Sequence, residues 1–168
     1  NVILLNGNLL GMDPTWQVAS PNWCAATGVT CASFFGEGII EELETRLFFK
    51  SVPDNQKFDA SSVHFERTLS LTNLKINHQQ MVGTFNLHLR PFLLKLIIDG
   101  SSSISSAGGF KMIGAFPVDA FSNISSVTQL QLINLPGLTG PFPDVFYLTN
   151  LFEFVMVGLP AMTGGMSD

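Results

Sequence analysis

A chain of 168 residues with 46% apolar and 12% charged side chains has enough material for the core of one domain. A formal charge of −5 leaves no basic patch to neutralise phosphates, which argues against a nucleic-acid partner. The most apolar stretch, Pro91 to Ile98, is short and carries Lys95, whereas a membrane span needs about 20 apolar residues, so no transmembrane helix is expected. Phe supplies 15 residues against one Tyr and two Trp, and Phe fills a continuous core without a polar tip to satisfy. The low charge density points to a surface partly covered by a partner, by glycans or by further copies.

In chain order, the first feature is Trp23-Cys24 followed by Gly28-Val29-Thr30-Cys31, which holds the only two cysteines. With no CxxC spacing and no nearby His they make a poor zinc site. No cation lies in the stretch to activate a free thiol. Ile40, Leu43 and Thr45 form a weak first copy of a pattern that runs through the rest of the chain. Residues 48–67 fit nothing and are expected to leave the repeating body. Leu71, Leu74, Ile76, Met81, Gly83 and Phe85 follow the pattern L-x-x-L-x-L, then L-x-G-x-F. Leu93, Leu96 and Ile98 repeat its first half, and Met112, Gly114, Phe116 and Pro117 its second. The Ser/Gly-rich insertion 101–109 between them reads as a surface loop. Finally, residues 127–144 and 151–168 are one segment written twice: Leu130, Leu132, Leu135-Pro136 and Thr139-Gly140 recur 24 positions later as Phe154, Met156, Leu159-Pro160 and Thr163-Gly164.

A period in the twenties implies stacked units, each lending its apolar side to the next. The L-x-L alternation puts two side chains on one face of a short strand. Stacking predicts a buried column of Leu43, Leu74, Leu96, Leu130 and Phe154, and a second of Thr45, Ile76, Ile98, Leu132 and Met156. Each Gly ahead of the Phe-Pro position allows a tight turn, and Pro117 and Pro143 sit where no ladder donor is needed. The chain opens at Asn1 and closes at Asp168 in mid-repeat with no terminal cap written, so the front part of a longer protein is expected.

These motifs resemble the leucine-rich-repeat family, in its plant-type subclass with repeats of about 24 residues. The copies Leu130 to Pro143 and Phe154 to Met166 are similar to the consensus L-x-L-x-x-N-x-L-x-G-x-I-P. They depart from it in carrying one extra residue each, and Gln79, Ser101, Leu135 and Leu159 fall at the Asn position. The cysteine segment, with Asp13-Pro14 and Trp16 before it, looks like the subclass's N-terminal cap. The resemblance implies an α/β leucine-rich-repeat solenoid with a stacked parallel β-sheet on the concave face and a disulfide-capped N-terminus. It implies a Cys24–Cys31 disulfide, and with it an oxidising, extracellular or cell-surface location. The expected layout is an N-terminal cap over 1–38 and about five repeats over 39–168, with insertions near 48–67 and 101–109.

Asn123-Ile124-Ser125 is an N-glycosylation sequon, expected on a solvated side of its repeat. His64, His78 and His88 share no spacing, so no metal site is expected. Glu41, Glu42 and Glu44 read as a solvated strand face, or as partners for Lys75 and Lys95, rather than as an acid/base pair. No nucleophile elbow, phosphate loop or zinc motif is present, so neither an enzyme nor a cofactor is expected. Outward strand positions run from charged near the N-terminus to apolar near the C-terminus. Leu94, Ile97, Ile133, Phe152, Val155 and Val157 are expected to form one contiguous exposed patch. By resemblance, ligand contacts fall on Lys75, Asn77, Lys95, Ile97, Gln129, Gln131, Glu153 and Val155. Two functions remain open: an extracellular domain recognising a protein, peptide or glycan, and a structural subunit of a surface layer or filament.

Overall fold

A computed structural model of the chain describes Cys24 and residues 29–34, 37–45, 58–59, 71–77, 81–84, 89, 91–100, 111–117, 119 and 121–164. The first sheet contains β1 (Val29–Phe34), β2 (Glu37–Thr45), β4 (Asn73–Asn77), β6 (Lys95–Asp99), β9 (Gln129–Ile133) and β11 (Glu153–Val157), in that order. A second sheet holds β8 (Gly114–Ala115), β10 (Leu138–Pro141) and β12 (Met162–Thr163). A third holds β3 (Phe58–Asp59), β5 (Met81–Gly83) and β7 (Lys111–Met112). Among the described residues, the returns between sheets are turns rather than α-helices.

From β2 to β11 the first sheet is parallel, in the register that the repeat pattern predicts. Leu43, Leu74, Leu96, Leu130 and Phe154 are successive Cα partners. So are Thr45, Ile76, Ile98, Leu132 and Met156. Leu74, Ile76, Leu96, Ile98, Leu130 and Leu132 are buried, and Phe154 and Met156 pack on them half-buried at the last strand. At about 25 cal/mol per Å² of apolar surface removed from water, these inward columns are the main force joining one repeat to the next. A hydrogen-bond ladder precedes the strands. The carbonyl of Thr72 accepts the N–H groups of Leu94 and Lys95, that of Leu94 those of Thr128 and Gln129, and that of Thr128 those of Phe152 and Glu153.

The smaller sheets are staggered. By motif, Gly114 matches Gly140 and Gly164, yet Gly114 pairs with Leu138, and Gly140 with Met162. Gly83 likewise pairs with Met112 rather than with Gly114. Each strand has slipped two residues, roughly 6.6 Å, along its neighbour. A two-residue slip preserves which face each side chain occupies, so Leu138 and Met162 both remain buried. The glycines of the L-x-G turn, Gly114, Gly140 and Gly164, have φ of 102°, 94° and 87°, as their place in the motif anticipates. Residues 48–67 were expected to leave the solenoid, but Phe58–Asp59 within them pairs with β5. The segment therefore supplies the first repeat's share of the third sheet. The insertion 101–109 lies outside the described residues.

At the N-terminal edge, β1 runs antiparallel to β2, with a register irregularity between Thr30 and Cys31. The Cys24–Cys31 disulfide implied by the family resemblance is present, with Cα atoms 5.6 Å apart. It ties Cys24 to β1, the strand at the edge of the sheet. By chain entropy a loop this short contributes about 2 kcal/mol. Val29 packs against the core, which carries the cap into the solenoid.

Candidate binding face

The strand register sorts the positions between the inward columns into rows. The first row is Glu42, Asn73, Lys95, Gln129 and Glu153. The second is Glu44, Lys75, Ile97, Gln131 and Val155. A third, at the strand ends, runs Asn77, Asp99, Ile133 and Val157. Seven of the eight residues expected to contact a ligand fall in the first two rows: Lys75, Lys95, Ile97, Gln129, Gln131, Glu153 and Val155. Asn77 falls in the third. Glu44 is the direct neighbour of Lys75, whereas Glu42 and Lys95 are separated by Asn73.

Two expectations are corrected. Ile97 is only 8% exposed, although it points to the outward side. Its register partners Lys75 and Gln131 carry longer side chains one strand away on either side, and such stems cover apolar surface while their polar heads reach water. Nor do the six apolar residues form one patch. Leu94 and Phe152 sit in the lead-in row with exposed Thr128 between them. The polar row Lys95, Gln129 and Glu153 then separates that row from Ile133, Val155 and Val157. Polarity thus changes diagonally across the face, polar where the strands begin and apolar where the last strands end.

At the β9–β11 boundary the face carries a built polar cluster. Gln129 Nε2 donates to Glu153 Oε2 at 2.7 Å, and Gln131 Nε2 donates to Glu153 Oε1. Both carboxylate oxygens are therefore held by amides of the preceding strand, all three side chains half-buried. The cause is the alternation Gln-Leu-Gln in β9, which puts two amides on one face on either side of Leu130. Directly beside Glu153 stands Phe152, 90% exposed. The sequence reading sets Phe152 in the apolar patch but not among the contact residues. Its signal was available, because 24 positions earlier Thr128 occupies the same lead-in row.

Behind the strands the backbone is tightly stacked. The Gly100 N–H donates to the Ile133 carbonyl at 2.6 Å, and the Asn134 N–H to the Val157 carbonyl at 2.7 Å. Asn134 has φ of 51° and Gly158, its equivalent, 71°. Both left-handed positions lie in the turns of the two repeats that carry one extra residue, and Leu135 at the consensus Asn position is buried in the core. His64, His78, His88, Gln79 and Ser101 lie outside the described residues. Among the described residues, no group of three or more His, Cys, Asp or Glu side chains could hold a metal ion.

No protein-family model and no curated protein matches the chain. Among solved structures it is similar to the crystal structure of the BIR3–SERK2 complex from Arabidopsis thaliana, with a TM-score of 0.60 and 20% identity over 98% of this chain and 84% of that one. It is also similar to the LRR ectodomain of the receptor kinase SOBIR1 from the same plant, with a TM-score of 0.58 and 17% identity over 93% and 92% of the two chains. A third likeness is to the Arabidopsis thaliana BIR2 ectodomain, with a TM-score of 0.53 and 18% identity over 94% and 93%. At these identities the likeness is one of fold.

Proposed function

With a leucine-rich-repeat fold of the plant type as premise, we propose that this chain is a non-enzymatic extracellular domain that binds a protein partner through the outward face of its six-stranded sheet. The observation that carries this reading is the Gln129–Gln131–Glu153 cluster beside exposed Phe152. A side chain already held in place loses little freedom on binding, and an exposed aromatic next to fixed polar groups is the composition of an interface anchor. Lys75, Asn77, Lys95 and Val155 extend the contact surface along the rows, while Ile97 supports it from below. The extracellular location is supported by the Cys24–Cys31 disulfide and by the ectodomains among the similar structures. One of those structures is itself a protein–protein complex.

The test is proximity labelling on intact cells with the peroxidase-tagged chain, compared with the variant Gln131→Arg, Glu153→Arg, Val155→Arg. Extracellular proteins labelled by the wild type should fall about tenfold or more with the variant, provided that its circular dichroism is unchanged. Labelling that survives the variant overturns the choice of face. Labelling abolished by glycosidase treatment of the cells shifts the ligand to a glycan. A second reading, a subunit of a surface layer or filament, is favoured by the apolar corner of Ile133, Val155 and exposed Val157 on the last two described strands of the sheet.

A further inference from the structure

Two exposed aromatics stand apart from the outward face. Phe146 is 68% and Tyr147 58% exposed, on the turn that leads from β10 back to β11. The same turn one repeat earlier leads into β9 and contains the sequon. The two turns share two backbone hydrogen bonds at matched positions, although their first bonds differ: Ser122 N–H donates to the Asp119 carbonyl and Phe146 N–H to Asp144 Oδ1. Ile124 N–H donates to the Phe121 carbonyl and Val127 N–H to that of Ile124, just as Leu148 N–H donates to Val145 and Leu151 N–H to Leu148. They also touch: Asn150 Nδ2 donates to the Ser125 carbonyl at 3.1 Å. By the 24-residue offset of these bonds, Tyr147 is the counterpart of Asn123 on the adjoining turn, and Phe146 that of Ser122. Asn123 and Ser125 are exposed, while Phe121, Ile124 and Val127 are buried and hold the turn to the core. The sequon is thus exposed on a turn anchored to the core, one repeat before a turn that carries an exposed aromatic ring.

We propose that Asn123 carries an N-linked glycan whose innermost sugar lies over the ring of Tyr147. The proposal rests on the extracellular reading, which supplies the donor, a lipid-pyrophosphate-linked oligosaccharide. The Asn123 amide nitrogen bonds to the anomeric carbon of the first sugar. The bond from that carbon to the pyrophosphate oxygen breaks, its electron pair leaves with the pyrophosphate, and the amide gives up one proton. The C–H face of the sugar then meets the electron-rich face of the aromatic ring. This removes an exposed apolar pair from water without obstructing the outward face of the six-stranded sheet.

Tyr147 is the only tyrosine in the chain, so nitration by tetranitromethane reports on one ring. The chain is secreted from a eukaryotic host, and its Asn123 peptide is analysed by mass spectrometry. Nitration is then compared among the intact glycoform, a form trimmed to the innermost sugar by an endoglycosidase, and S125A, which removes the sequon while leaving Asn123 and the Ser125 carbonyl in place. Occupancy of Asn123 is expected, with Tyr147 nitrated severalfold more slowly in both the intact and the trimmed forms than in S125A. Equal rates in all three overturn the contact. An unoccupied Asn123 in secreted, disulfide-bonded protein overturns the glycan and its contact but leaves the extracellular reading standing. Recovery of the native protein from the cytosol with Cys24 and Cys31 as free thiols overturns the extracellular reading and the glycan with it.

Discussion

Gly100 shows how closely the repeats approach each other. A Cβ placed on it would overlap the Asn134 carbonyl oxygen, and the Asn134 backbone is locked by its own bond to Val157. Gly100→Ala should therefore force two strands apart and lower stability by about 2–3 kcal/mol, the upper range for a single substitution. Gly164→Ala meets no atom of the described residues within 4 Å and bears the penalty of a positive φ, about 1 kcal/mol. Thermal melts of the two variants separate these effects, and equal melting temperatures would contradict the close approach at Gly100. The L-x-G motif makes Gly164 legible in the sequence. Gly100 is not, because its constraint comes from a residue 34 positions away, across the insertion 101–109. Ile97 illustrates the same limit: alternation predicts that it points outward, but its burial depends on what stands on the strands to either side.

A strand in this fold has two faces with different energetic roles. In β9 the burial alternates strictly, with Leu130 and Leu132 buried and Gln129, Gln131 and Ile133 half-exposed. Leu130→Ala should cost about 3 kcal/mol through lost burial and the cavity left between Leu96 and Phe154. Gln129→Ala removes one partly solvated hydrogen bond to Glu153 and should cost about 1 kcal/mol or less. Chemical denaturation of both variants measures the difference, and a Gln129 effect as large as that of Leu130 would mean that the outward cluster is structural rather than a binding surface. The inward columns were legible from the sequence because strand period and repeat period coincide there. The smaller sheets were not, since motif alignment assumes matched positions and the chain instead pairs with a two-residue slip. The strand Phe58–Asp59 was missed for a related reason, having no L-x-G motif to mark it.

For the whole molecule, the choice between recognition and assembly depends on whether the apolar corner at Ile133, Val155 and Val157 joins copies together. The diagonal polarity gradient keeps that corner small and separates it from Phe152 and Leu94. The secreted, disulfide-bonded chain should therefore elute as a monomer in size-exclusion chromatography with light scattering at micromolar concentration. A concentration-dependent rise in mass that Val157→Lys abolishes would favour the assembly reading instead. The sequence by itself determined that the chain repeats and which side chains face inward, because these depend on local period; that two cysteines close a cap is implied by the family resemblance of their segment and not by their spacing. Only the tertiary structure decided which residues of different repeats become neighbours: Gln131 with Glu153, Ser125 with Asn150, Gly100 with Asn134, Gly114 with Leu138. The physical reason is that register between repeats is set by packing and hydrogen bonding across strands, and repeats of uneven length carry no mark of that register along the chain.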